Sequence, residues 1–194
     1  MDKKTARKNK IIDASINLMY LKGYNGTSVK DITDAAGIPK GSFYNYFKDK
    51  EHYAVDALNF YYDVLVCDVT AILFDKELEP LDRIKEFFKS KVSLAKQKDS
   101  KMGCFVGNMT QEMGNISELI AGATEQIHSN IEALIHANLV EAYKNNALKK
   151  EIHLKTLAGF IVSSWQGSLL RMKVTSDQTI LDDFYTVLSE VLLK

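Results

Sequence analysis

A chain of 194 residues, 46% of them hydrophobic, holds enough material for one large domain or a small one joined to a larger. No apolar run approaches the roughly 20 residues of a membrane helix, and no signal-peptide core follows the basic N-terminus, so the cytoplasm is the expected compartment. A net charge of zero speaks against a nucleic-acid binder only until its distribution is read: residues 1–50 hold ten Lys and Arg against five Asp, a net +5, and the remainder fifteen basic against twenty acidic residues, a net −5.

Lys3 to Lys22 is predicted as the first helix, with Ile12, Ile16 and Met19 as its apolar stripe. Lys3, Lys4, Arg7, Lys8 and Lys10 crowd its start, where they either add a diffuse, salt-sensitive attraction to a duplex or, for Lys3 and Lys4, form a solvated arm. Gly23 and Gly26 punctuate the turn that follows. Ser28 and Asp31 have capping-box spacing and start a second helix, whose apolar side is Ile32, Ala35 and Ala36. Gly37 ends it, because glycine enters the left-handed conformation without a Cβ clash. Ile38 is expected to pack into the turn, and Pro39 suits the first turn of a third helix. Phe43 and Phe47, four apart, anchor that helix inward. Lys40, Ser42, Tyr44, Asn45 and Tyr46 are left to face elsewhere, and such side chains suit a helix that reads a DNA groove.

From Lys50 the pattern predicts one long helix to about Asp75, a natural lever between a head and a body. Another helix is predicted from Pro80 to about Lys98, with Leu81, Ile84, Phe87, Phe88 and Val92 inward. After a polar break at Asp99 to Lys101 comes a short helix, about Cys104 to Met113, ended by Gly114. Ser117 caps a long one from Glu118 to about Asn146, striped by Ile120, Ile127, Ile131, Leu134 and Leu139. Two further helices are expected at about Ile152–Lys173 and Asp177–Leu193, with Thr175, Ser176 and Asp177 as turn and cap. No segment alternates like a strand. The expected fold is all-α with about nine helices: a helix-turn-helix head over 1–50 and a helical regulatory and dimerisation domain over 51–194.

The terminal pair is apolar on more than one face. Leu157, Phe160, Ile161, Trp165, Leu169 and Leu170 lie on the first helix; Ile180, Leu181, Phe184, Val187, Leu188, Val191 and Leu192 lie on the second. Either one chain satisfies them, or two copies bury them as a four-helix interface across a two-fold axis.

The run AAGIPKGSFYNYFKDKE, with Gly37, Ser42, Tyr44, Phe47 and Lys50 in that order, resembles the signature of the TetR family of bacterial repressors. The resemblance covers roughly Lys10 to Tyr53. It implies a homodimer that sets two reading heads about one helical turn of DNA apart, or a multiple of it. It also implies groove contacts from Lys30, Lys40, Ser42, Tyr44, Asn45 and Tyr46, and a phosphate contact from Lys50. The Asn45 amide can bond an adenine edge in two places. Tyr44 and Tyr46 either hold phosphate or are partly structural.

KMGCFVGNM and SWQGSLLRMKV resemble a branch of the family that includes sensors of electrophiles and oxidants. That resemblance implies a reactive Cys104 approached by Lys173. A thiol at a helix start near Lys101 can be acidified, whereas a buried one merely packs; Cys67, among Val and Leu, is read as packing. Neither cysteine suggests a disulfide framework. The other trigger is a small molecule in a pocket lined by Phe60, Tyr61, Phe88, Phe105, Met109, Met113, Tyr143 and Trp165, residues that equally make ordinary core. His128, Glu132 and His136 share one helix side but are read as a wet face, with no metal and no cofactor expected. A thiol-dependent enzyme using Cys104 is the rival reading, and it lacks a base: no His lies near Cys104 in sequence. A helical scaffold with a degenerate head is the third.

Overall fold

A computed structural model describes residues 3–66, 70–97, 102–148 and 152–194. Nine α-helices and no strand are present among the described residues. They are α1 Lys3–Lys22, α2 Val29–Ala35, α3 Lys40–Phe43, α4 Lys50–Phe60, α5 Pro80–Gln97, α6 Phe105–Met113, α7 Glu118–Lys144, α8 Leu154–Thr175 and α9 Thr179–Val187. The fold is all-α, as the absence of period-two patterning predicts. The chain packs as two compact units: Met1–Leu65 with Phe105–Gln126, and Val66–Cys104 with Ile127–Lys194.

In the first unit, α1 turns Ile11, Ile12, Ile16, Met19 and Tyr20 inward. Phe43 and Phe47 are fully buried, with ring centroids 5.0 Å apart, and Tyr53 of α4 closes the cluster 5.0 Å from Phe47. Each such ring contributes about 1.5–3 kcal/mol by leaving water, which is why one turn of α3 holds its place. Ser15 Oγ donates to the Ile11 carbonyl at 2.6 Å, and a hydroxyl has one proton, so Tyr53 must donate to Ser15 across their 2.7 Å contact.

The capping box at α2 is present: Ser28 Oγ accepts from Asp31 N–H at 3.1 Å and Asp31 accepts from Ser28 N–H at 2.8 Å. Gly37 has φ +63 and closes the helix. The apolar side differs from the expected one. Ile32 and Thr33 are buried, Ala36 is half-buried and Ala35 is exposed. Thr33 can enter the interior because its hydroxyl donates back to the Lys30 carbonyl at 3.0 Å.

The expected helix to Asp75 is α-helical only to Phe60, where a π-helical turn over Tyr61–Val66 takes over. Ala71–Phe74 is a 3₁₀ turn. Cys67 lies outside the described residues. The extra residue of a π turn rotates the following face by about 100°. It falls where Tyr61 meets Tyr20 and Phe105, with centroids 6.1 and 5.4 Å away.

In the second unit, α5 buries Leu81, Ile84, Phe87, Phe88 and Val92, together with Arg83. The Arg83 guanidinium bonds the Asp75 carbonyl through Nε at 2.5 Å, Asn138 Oδ1 at 3.2 Å and Glu141 Oε2 at 2.9 Å. Asn138 then donates to the carbonyls of Leu73 and Leu134, at 3.1 and 3.0 Å. This network fixes α5 on the later part of α7. Ser117 accepts from Ile120 N–H at 3.3 Å and starts α7, while Asn146, with φ +57, marks the end that Asn145 and Asn146 predict. Leu134 is half-buried, and Ile135 takes the inward place. Phe88, Trp165 and Phe184 form a triangle with centroids 5.2–5.8 Å apart that joins α5, α8 and α9. Ser176, at φ +57, ends α8, and Asp177 Oδ1 accepts from Thr179 N–H at 2.9 Å.

Candidate nucleic-acid interface

Buried anchors dictate which way the segment 40–47 faces. With Phe43 and Phe47 inward, Lys40, Tyr44 and Asn45 are exposed and Ser42 and Tyr46 half-buried. The helix proper is one turn, Lys40–Phe43, with Pro39 just before it at φ −60. Tighter bonds continue the coil, Asn45 N–H to the Ser42 carbonyl at 3.2 Å and Tyr46 N–H to that of Phe43 at 3.0 Å. The Tyr44 ring stands edge-on to Phe43 at 5.3 Å, yet the residue keeps 56% of its surface exposed.

Lys30 also faces out, but Asp34 already holds it: the Nζ–Oδ2 distance is 2.5 Å along the helix surface. That hydrogen bond, then the Asp34 charge, raises the Lys30 pKa. Asp34 therefore competes with any phosphate for this lysine.

Lys50 departs most from expectation. Its ammonium is not held out for phosphate alone. It donates to the carbonyls of Tyr24 and Thr27, at 3.0 and 3.1 Å, and lies 4.0 Å from the Tyr24 ring centroid. Partial burial lowers its pKa against the opposing pull of Glu112. Asp49 caps α4, accepting from His52 N–H at 2.9 Å, and this bond is the main cause of its lowered pKa.

The turn that Lys50 grips is held from its other side by Glu112 of α6, which accepts from Tyr24 N–H at 2.8 Å and Asn25 N–H at 2.7 Å. No local signal marks Glu112, because its partners lie 88 and 87 positions away.

The residues expected to line a pocket are divided between the two units. Tyr61 and Phe105 pack together in the first unit, where Met109 and Met113 are also buried and Phe60 is half-buried. Phe88 and Trp165 belong to the triangle of the second unit, and Tyr143 is 55% exposed because α7 turns it away from that core. Cys104 immediately precedes α6 and is half-buried, as is Lys173 on the last turns of α8. Lys101 lies outside the described residues. His128, Glu132 and His136 are half-buried rather than on a wet face. α8 approaches Glu132: a Cβ added at Gly159 would lie 3.3 Å from Glu132 Oε2. No group of three metal-ligating side chains occurs among the described residues, and no described helix is long and apolar enough to cross a membrane.

Residues 11–52 match the family model described as bacterial regulatory proteins, tetR family, and residues 80–188 match the tetracyclin repressor-like C-terminal domain. The chain belongs to the TetR family. Among its TetR-type relatives is the HTH-type transcriptional repressor DhaR of Mycobacterium sp. strain GP1, 29% identical over 190 residues, which are 98% of this chain and 94% of that one. An HTH-type transcriptional regulator in the lacX 3′ region of Lactococcus lactis subsp. lactis is 32% identical over 181 residues, 93% and 90% of the two chains. The crystal structure of regulatory protein TetR from Rhodobacter sphaeroides superposes with a TM-score of 0.83 at 26% identity, covering 92% of this chain and 95% of that one. The protein is accordingly a DNA-binding transcriptional regulator, and its family and relatives are regulators rather than enzymes.

Proposed function

We propose that the chain is a homodimeric repressor that holds a short palindromic operator through the segment Lys40–Tyr46 and releases it when the body is modified or liganded. The observation that carries this reading is the fixed outward set Lys40, Tyr44 and Asn45 on a turn pinned by fully buried Phe43 and Phe47. Asn45 reads a base edge, Lys40 and Tyr44 hold phosphates, and Ser42 and Tyr46 border the contact. Lys30 joins when phosphate displaces Asp34. Lys50 acts first as a brace for the turn before α2, with any phosphate contact added to that role. Residues 1–50 are the reading head and 51–194 the regulatory and dimerisation body. This division supports operator binding at one end and control from the other, inside the cytoplasm.

A second copy is the partner for the terminal helices. Their inner faces are satisfied within the chain, but Phe160, Val174, Val187 and Val191 are 54, 78, 47 and 57% exposed. A groove of about 250 Å³ between α8 and α9 lies on this outer side, bordered by Phe160, Phe184 and Val187. Exposed apolar residues that border one groove, as Phe160 and Val187 do, are the mark of an interface.

Two inducer chemistries fit the body. A small apolar molecule would bind among the aromatic and methionine side chains, and an electrophile or oxidant would react at Cys104 with Lys173 as its neighbour. A Cys104→Ser protein separates them: it should keep its operator through peroxide or maleimide treatment if the thiol is the switch, and release of DNA on treatment contradicts the thiol route.

Selection of bound duplexes from a random pool tests the whole reading. The expected product is a palindrome whose half-sites lie about one helical turn or a multiple apart. Asn45→Ala and Tyr44→Ala should each abolish the gel shift while the dimer stays folded. Wild-type binding by both variants contradicts the assignment of the reading residues.

A further inference from the structure

Glu112 has no place in the operator contacts proposed above, yet both its carboxylate oxygens are committed. Oε2 and Oε1 take the consecutive backbone amides of Tyr24 and Asn25. The turn between α1 and α2 is shaped to receive them. Gly23 sits at φ +77, a conformation that favours glycine, and a Cβ there would come within 2.5 Å of Glu112 Oε2 and push the carboxylate aside. On the other side Lys50 takes the carbonyls of Tyr24 and Thr27. The turn is thus gripped between an anion from α6 and a cation from α4. Its last residue leads straight into the Ser28 cap of α2, two residues before Lys30.

A carboxylate packed against a head that must approach phosphate weakens the long-range attraction, and a local structural role offsets that cost. Each of the two adjacent N–H donors meets its own carboxylate oxygen, whereas a primary amide in that place would turn an NH2 toward one of them. α6 begins beside Cys104 and ends at this clamp, so a displacement of α6 along its axis reaches the turn without passing through a flexible linker.

We propose that Glu112 is the positioning residue that couples α6 to operator affinity, by holding the α1–α2 turn and with it the N-terminus of α2. The inference rests on DNA binding by the head and adds the residue and the route. Because linkage is reciprocal, a state of α6 that alters DNA affinity must itself be altered by DNA. The coupling can therefore be measured without knowing the inducer.

The test uses the full chain with a duplex selected from the random pool. Amide hydrogen exchange over Phe105–Met113 is followed with and without the duplex for wild type, Glu112→Ala and Glu112→Gln. In wild type the duplex should slow exchange across α6. Glu112→Ala should lose that slowing and bind the duplex about ten-fold more weakly, within the usual span of coupling effects. Glu112→Gln, near-isosteric and with one acceptor retained, should melt like wild type and fall between the two in affinity and in slowing. That partial rescue is the result a general loss of fold would not give. If Glu112→Gln and any folded Glu112→Ala protein bind like wild type and α6 still slows, the coupling is overturned. A wild-type chain that binds no selected duplex contradicts DNA binding itself, and this inference with it.

Discussion

Asp34 is a brake on Lys30. Its carboxylate holds the ammonium at 2.5 Å on an exposed helix surface, where an ion pair adds little stability but occupies a donor that phosphate would otherwise take. Asp34→Asn should therefore tighten operator binding several-fold at low salt and steepen the dependence of log K on log salt by about one unit, the signature of one more neutralised phosphate. A titration series at several salt concentrations measures both, and unchanged affinity would show that Lys30 does not meet the duplex. Tyr53, packed on Phe43 and Phe47, gives that cluster a different sensitivity. Burial pushes its phenol up to about 12, against the ordinary value of 10.0. A folded-state pKa raised above the unfolded one means stability that is present below pH 10 and lost as pH rises toward 12. Tyr53→Phe should cost about 1 kcal/mol at neutral pH, one hydrogen bond, and should flatten the loss between pH 10 and 12. Melts at neutral and alkaline pH decide it.

Elements whose signals are local were legible in the sequence. The Ser28–Asp31 box, the Gly37 stop, the Phe43 and Phe47 anchors and the Ser117 cap are each encoded within a few residues, and each stands where the spacing predicts. Elements shaped by distant partners were not. The π turn at Tyr61–Val66 answers to Tyr20 and Phe105, and Tyr61 by itself looks like more helix. The buried Arg83 reads as an ordinary surface charge until Asn138 and Glu141 are placed beside it. Glu112 and the bracing role of Lys50 were hidden for the same reason. Arg83→Leu takes the buried Asn138 Oδ1 away from its guanidinium donor, while Glu141, 39% exposed, is left to water, so the change should destabilise the protein by about 1–3 kcal/mol. Urea unfolding measures this, and a loss under 1 kcal/mol would mean that the network is replaceable by apolar packing.

At the scale of the molecule, a basic N-terminal quarter is carried by an acidic remainder, and each chain presents one reading segment. One segment of a few residues gives few base contacts, and the proposed dimer would bring two together through the exposed apolar residues of α8 and α9. Phe160→Glu or Val187→Glu would place a carboxylate inside a two-fold interface opposite its own copy. Each should convert the dimer to monomers in sedimentation and reduce operator affinity at least ten-fold through lost avidity, with helix content unchanged. The central claim is that two heads of one assembly enter the grooves of one duplex, and the stoichiometry of the purified chain on a selected palindrome measures it most directly. Sedimentation equilibrium should give two chains per duplex for wild type and none for Asn45→Ala at the same concentration. A single chain per duplex, or an Asn45→Ala protein that still loads two, would contradict the account.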